Sequence, residues 1–168
     1  MKLSLLALTI LAASANAQNP FTSDVKKIWA MAASNIVKSA EKMPEESYTF
    51  KASPDVRSFA QLVGHASDAA YTFCAAAKGE KRAPAGIEKN MSKKEELVKA
   101  AKEAVAYCNS VLDEMTDAKG AETVKFFGET SRLGILAFNN AHTMEHYGNM
   151  VTYMRIRGIV PPSSEPKK

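Results

Sequence analysis

Ile135-Leu136-Ala137-Phe138-Asn139-Asn140-Ala141-His142-Thr143-Met144-Glu145-His146-Tyr147-Gly148-Asn149-Met150-Val151-Thr152-Tyr153 is the stretch whose reading decides the fold. In steps of three and four, Ile135, Phe138, His142, His146, Asn149, Tyr153 and Ile156 fall on one inward helical face, with Glu145 at its edge. The spacing predicts a helix from about Thr130 to Arg157, closed by Gly158 and then Pro161-Pro162. Two imidazoles and a carboxamide thus fall where apolar side chains would otherwise pack. Unpaired polar groups in a core cost on the order of 1–3 kcal/mol each, so the fold must give them partners. His142 and His146, four apart, stand one above the other on a helix and can converge on one metal ion. His65 completes the chain's three histidines. An imidazole from a second helix would make a facial set with open coordination positions. The competing reading for His65 is a hydrogen-bonded core histidine, and for the pair a solvated helix face.

Working outward, three more amphipathic segments can be read. The first runs from about Pro20 to Met43, with Val25, Ile28, Trp29, Ala32, Ile36, Val37 and Ala40 at helical spacing, and Met43-Pro44 ends it. After an extended link from Glu45 to Arg57, Ser58-Phe59-Ala60-Gln61 fits a capping box. That second helix carries Phe59, Leu62, His65, Ala66, Ala69, Phe73 and Ala76 along one side and stops near Gly79. Gly79 to Met91, with Pro84 and Gly86, reads as a loop. Ser92-Lys93-Lys94-Glu95 reads as a second capping box opening a third helix, striped by Leu97, Ala101, Ala104, Val105, Cys108, Val111, Leu112 and Met115. Thr116 to Gly128 is a crossover without strand-like alternation, broken by Gly120 and Gly128. The expected fold class is all-α, a four-helix bundle, and bundles commonly build metal sites from facing helices.

The chain opens Met1-Lys2-Leu3-Ser4-Leu5-Leu6-Ala7-Leu8-Thr9-Ile10-Leu11-Ala12-Ala13-Ser14-Ala15-Asn16-Ala17: one basic residue, an apolar run and a small-x-small ending, the pattern of a cleaved secretory signal peptide over 1–17. The expected product is exported, periplasmic or secreted, with a single domain over 18–168. The apolar run is about half of the roughly 20 residues a spanning helix needs, so no stable membrane anchor is expected. The 22 Lys and Arg exceed the 18 Asp and Glu only slightly, and the basic residues are not gathered with aromatic platforms, which argues against nucleic acid. Cys74 and Cys108 are the two cysteines. In an oxidising compartment they can pair as a disulfide; burial as small hydrophobes is the alternative.

Arg57-Ser58-Phe59-Ala60-Gln61-Leu62-Val63-Gly64-His65 at a helix start, with His142-x3-His146-Tyr147-Gly148-Asn149 and the run from Tyr153 through Gly158-Ile159-Val160-Pro161-Pro162, closely resembles the DinB/YfiT-like metalloenzyme family. The resemblance covers nearly all of the expected mature chain. It implies a bundle of up-down-down-up topology holding one divalent metal, zinc or nickel, on three histidines, which by position are His65, His142 and His146. Better-known members are thiol-dependent transferases and isomerases of the cytosol. An export signal sets this chain apart, because small thiols are kept reduced chiefly inside the cell. Many members carry Gln where this chain has Asn149, one methylene shorter.

Two functional classes follow. The first is an exported metal-dependent enzyme, hydrolase- or transferase-like, acting on an unidentified small molecule at an open three-histidine site. Asp68, one turn after His65, and Glu145, beside His146, are its candidate acid or base residues, with ordinary surface charge as the alternative for each. Asn149 and Tyr153 are assigned to substrate or to orienting the site, with structural hydrogen bonding as the alternative for Asn149. A pocket over the ion would be lined by Leu62, Phe138, Tyr153 and Asn149. Tyr71 and Tyr147 are expected to pack, with wet hydroxyls. The second class is a non-catalytic metal- or ligand-binding bundle acting in binding or assembly, and the chain is compatible with a homodimer. A structural zinc would normally be closed by four protein ligands. No fourth histidine exists, and Cys74 lies two and a half turns beyond His65.

Overall fold

Ser58 opens the helix that carries His65: its hydroxyl accepts from the Gln61 amide at 3.2 Å and its own amide donates to the Gln61 carboxamide at 2.8 Å. Gly79, at φ 90°, closes that helix in the left-handed conformation a side chain would resist. The computed structural model describes residues 19–81 and 85–166, so the export motif at 1–17 lies outside the described residues. The elements are α1 (Pro20–Lys42), α2 (Phe59–Lys78), α3 (Ile87–Asn90), α4 (Lys94–Asp113), α5 (Asp117–Ala121), β1 (Thr123–Lys125), β2 (Glu129–Ser131) and α6 (Arg132–Ile156), with 3-10 turns at Glu45–Ser47 and Pro162–Ser164. The fold is helical. No helix among the described residues is long and apolar enough to cross a membrane.

The long helices pack so that α1 and α2 each lie against both α4 and α6. Along α1 and α4, Lys26 pairs with Asp113 at 3.1 Å, Trp29 donates to Asn109 at 2.9 Å and Glu41 pairs with Lys102 at 2.7 Å, so numbers rise in one as they fall in the other. Across α2 and α6 the pairs are Ala77 with Arg132 at 2.7 Å and His65 with both His142 and His146. α6 also lies beside α1, where the Asn140 carboxamide donates to the Val25 carbonyl at 3.0 Å. Cys74 of α2 and Cys108 of α4 form a disulfide with Cα atoms 5.4 Å apart, and the Asn139 carboxamide rests against Cys74. Around it lies one apolar core that includes Trp29, Ile36, Phe59, Leu97, Val111, Leu136 and Met150.

Several sequence expectations are corrected. Ser92 does not cap: α4 starts at Lys94 with Lys93 at the N-cap, because Met91 enters extended and Lys94 is tied to the Met43 carbonyl at 2.8 Å. The loop after Gly79 contains α3, whose first amides are capped from another helix, a tertiary contact invisible in the local sequence. The crossover folds into α5 and a three-residue antiparallel hairpin, Thr123 opposite Ser131, too short to show alternation. Thr130 therefore belongs to a strand, and α6 starts after Ser131, whose hydroxyl accepts from the Gly134 amide. The link after Glu45 is also not fully extended, since it begins with a 3-10 turn. On the inward face of α6, Phe138, Asn149 and Ile156 are exposed, while Leu136, Asn139, Thr143, Met150 and Met154 are buried. The buried sector lies about one residue round from the histidine row, because α6 packs on α1 as well as α2. Ile28 on α1 is likewise exposed. Tyr147 has no wet hydroxyl: its oxygen donates to Ser163 Oγ at 2.6 Å and accepts from the Ser163 amide at 2.9 Å.

Candidate metal centre

His65, in the second turn of α2, meets His142 and His146, one turn apart on α6. The Nε2 atoms of His65 and His142 lie 3.3 Å apart, and those of His142 and His146 3.1 Å apart. One ligand atom from each of the three falls within 4.8 Å of the others, so the group could hold a metal ion. Ligand atoms on one tetrahedral ion at zinc–nitrogen bond lengths would be about 3.3–3.4 Å apart, close to what is seen. Hydrogen bonding alone does not satisfy the cluster. A neutral imidazole carries one N–H, and Nδ1 of His65 lies 2.9 Å from the Glu88 carboxylate, which accepts that proton and leaves the Nε2 lone pair turned inward. The Nδ1 atoms of His142 and His146 are buried with no hydrogen-bond partner. Converging lone pairs suit a cation.

Electrostatics favour the ligating form. Burial, then the neighbouring His142 and His65, pushes His146 down to about 4. Burial, then His65, also lowers His142. Both are therefore neutral at neutral pH. Burial works against ionisation of Glu88, yet hydrogen bonds from Arg57 and His65 outweigh it and hold its carboxyl below the ordinary value.

The model of the DinB superfamily matches residues 29–150. The chain belongs to the DinB superfamily. Solved structures similar to it include a DinB-like protein of Bacillus cereus ATCC 10987, at 17% identity and TM-score 0.71 over 83% of this chain and 95% of that one. Another is a DinB-like protein of Bacillus subtilis, at 19% identity and TM-score 0.70 over 86% and 99%. A conserved protein of Enterococcus faecalis follows at 14% identity and TM-score 0.66, over 80% and 95%. At these identities the likeness is one of fold. No curated protein matches significantly.

Beside the histidines of this DinB-superfamily chain lies a cavity of about 590 Å³, lined by Arg57, Leu62, Glu88, Glu145, His146, Asn149 and Tyr153, with Ala52, Asp55, Val56 and Thr152 at its remaining wall. That is within the size range of small-molecule sites. Asn149 and Glu145 are exposed on it. Tyr153 is buried, and its hydroxyl donates to the Arg57 carbonyl at 2.5 Å, so it ties α6 to the end of the link before α2. Phe138 does not line this cavity. It stacks against Phe73 and Phe127 on the other flank, where Phe73 also meets the His142 ring at 5.4 Å. Asp68 turns to α3: its oxygens accept from the Ile87 amide at 3.1 Å and the Glu88 amide at 3.0 Å. The residues that sequence reasoning missed are Glu88 and Arg57, joined at 2.9 Å. Glu88 sat in a segment read as loop; the available signal was Gly64 beside His65, a place where α2 has no side chain.

Proposed function

We propose that this chain is an exported metal-dependent member of the DinB superfamily, a hydrolase- or transferase-like enzyme whose single divalent ion, zinc or nickel, is held by His65, His142 and His146. The observation that carries the reading is the 3.1–3.3 Å convergence of three ring nitrogens, two of them on neutral, acid-shifted imidazoles. The helix pairings support an up-down-down-up order of α1, α2, α4 and α6, in which His65 and the α6 pair arrive from antiparallel helices. The leader-like Met1–Ala17 segment and the disulfide support a periplasmic or secreted setting.

When bound, the ion supplies Lewis acidity beside the cavity. The chain's residues do the rest. Leu62 and the Tyr153 ring shield one wall from water, and Asn149 offers a carboxamide to orient a substrate. Of the two candidate carboxylates, Glu145 and not Asp68 serves proton transfer, since Glu145 lines the cavity while Asp68 is committed to the α3 amides. Metal analysis of untagged protein tests the reading. Close to one divalent ion per chain is expected, with tight binding abolished by each of His65→Ala, His142→Ala and His146→Ala; loss in only one of the three sinks it.

A further inference from the structure

We infer that Glu88 is a positioning residue for the metal centre, setting the proton and orientation of His65, and that Gly64 and Asp68 exist to bring it there. The inference rests on the metal-binding reading above.

The chain of contacts is continuous. Glu88 Oε2 lies 2.9 Å from His65 Nδ1, and its other oxygen accepts from Arg57 Nε at 2.9 Å, so the carboxylate is bound at both ends. An acceptor on Nδ1 commits the ring proton to that side and leaves Nε2 free, toward His142. Such a carboxylate behind a ligating imidazole orients the ring and raises its basicity. Glu88 reaches this place because the short helix α3 is pressed onto α2. A Cβ at Gly64 would stand 2.6 Å from the Glu88 Cα and 2.8 Å from its nitrogen, so only glycine admits the backbone there. Four residues on, Asp68 caps the first two amides of α3 with its two carboxylate oxygens. Gly64, His65 and Asp68 thus share one side of α2, and a single segment both supplies a ligand and seats its support.

The arrangement makes an unusual demand: a buried glycine that supplies no ligand atom controls metal affinity through the place of Glu88. Zinc affinity of untagged protein is measured by competition with a chromophoric chelator, alongside the absorption bands of the cobalt-loaded protein. Glu88→Ala is expected to weaken zinc by about 10- to 100-fold and to shift the cobalt bands. Glu88→Gln, which keeps an acceptor for the Nδ1 proton, should recover much of the loss. Gly64→Ala should weaken zinc comparably with Glu88 still present, and the imidazole N–H proton resonance of His65 should disappear in Glu88→Ala. Circular dichroism of the metal-free variants checks the fold, and if Gly64→Ala unfolds, the two Glu88 variants decide. Wild-type protein that binds zinc, with Glu88→Ala within twofold of it and unchanged cobalt bands, overturns the inference alone. Wild-type protein that binds no metal overturns the metal reading on which it depends.

Discussion

An imidazole ligates only through a nitrogen that carries no proton, and at His146 burial holds the ring in that form down to about pH 4. Its folded-state value lies below the ordinary 6.5, so the unfolded chain binds the extra proton first as pH falls. The contribution to stability is present above 6.5 and is lost between there and about 4. The melting temperature of metal-free protein should therefore fall across that window, and His146→Gln should flatten the slope; an equal slope in the variant would refute the assignment. Zinc affinity should fall in the same direction. At Asn149, exposed on the cavity wall, Asn149→Ala should leave metal content and melting temperature nearly unchanged while weakening ligand binding or turnover. The three histidines were legible because types and spacings carry them. Glu88 was not, because nothing local marks a carboxylate as the partner of a ring 23 residues away.

For the elements, local signals succeeded where both halves of a motif lie in sequence. The Ser58 box formed because Ser58 and Gln61 need only each other. Ser58→Ala should cost about 1 kcal/mol, read from urea unfolding. Ser92 presents the same pattern and does not cap, since the tie from Lys94 to Met43 and the extended Met91 set where α4 begins. The stripe of α6 was one residue out of register for a related reason. Periodicity finds a face, but α6 is shared between α1 and α2, so its buried sector lies between them and leaves Phe138 and Ile156 in solvent. Phe138 consequently joins the aromatic group of Phe73 and Phe127 and not the cavity.

Over the whole molecule, the disulfide ties α2, which carries one ligand, to α4 across a sequence separation of 34. Removing it with Cys74→Ala and Cys108→Ala together should lower stability by about 3–4 kcal/mol on the chain-entropy model, as measured by denaturant unfolding. Two titratable thiols in unfolded, non-reduced wild-type protein would exclude the bond. The sequence by itself determined the helical class, the four long amphipathic segments and the three imidazoles, since helical period, caps and residue types are properties of neighbouring positions. The tertiary structure alone decided that α3 forms, that Glu88 stands behind His65 and Asp68 holds it there, and which side of α6 faces the cavity. Each of those depends on contacts between residues far apart in the chain, where the energy of packing and of satisfying buried polar groups outweighs local preference.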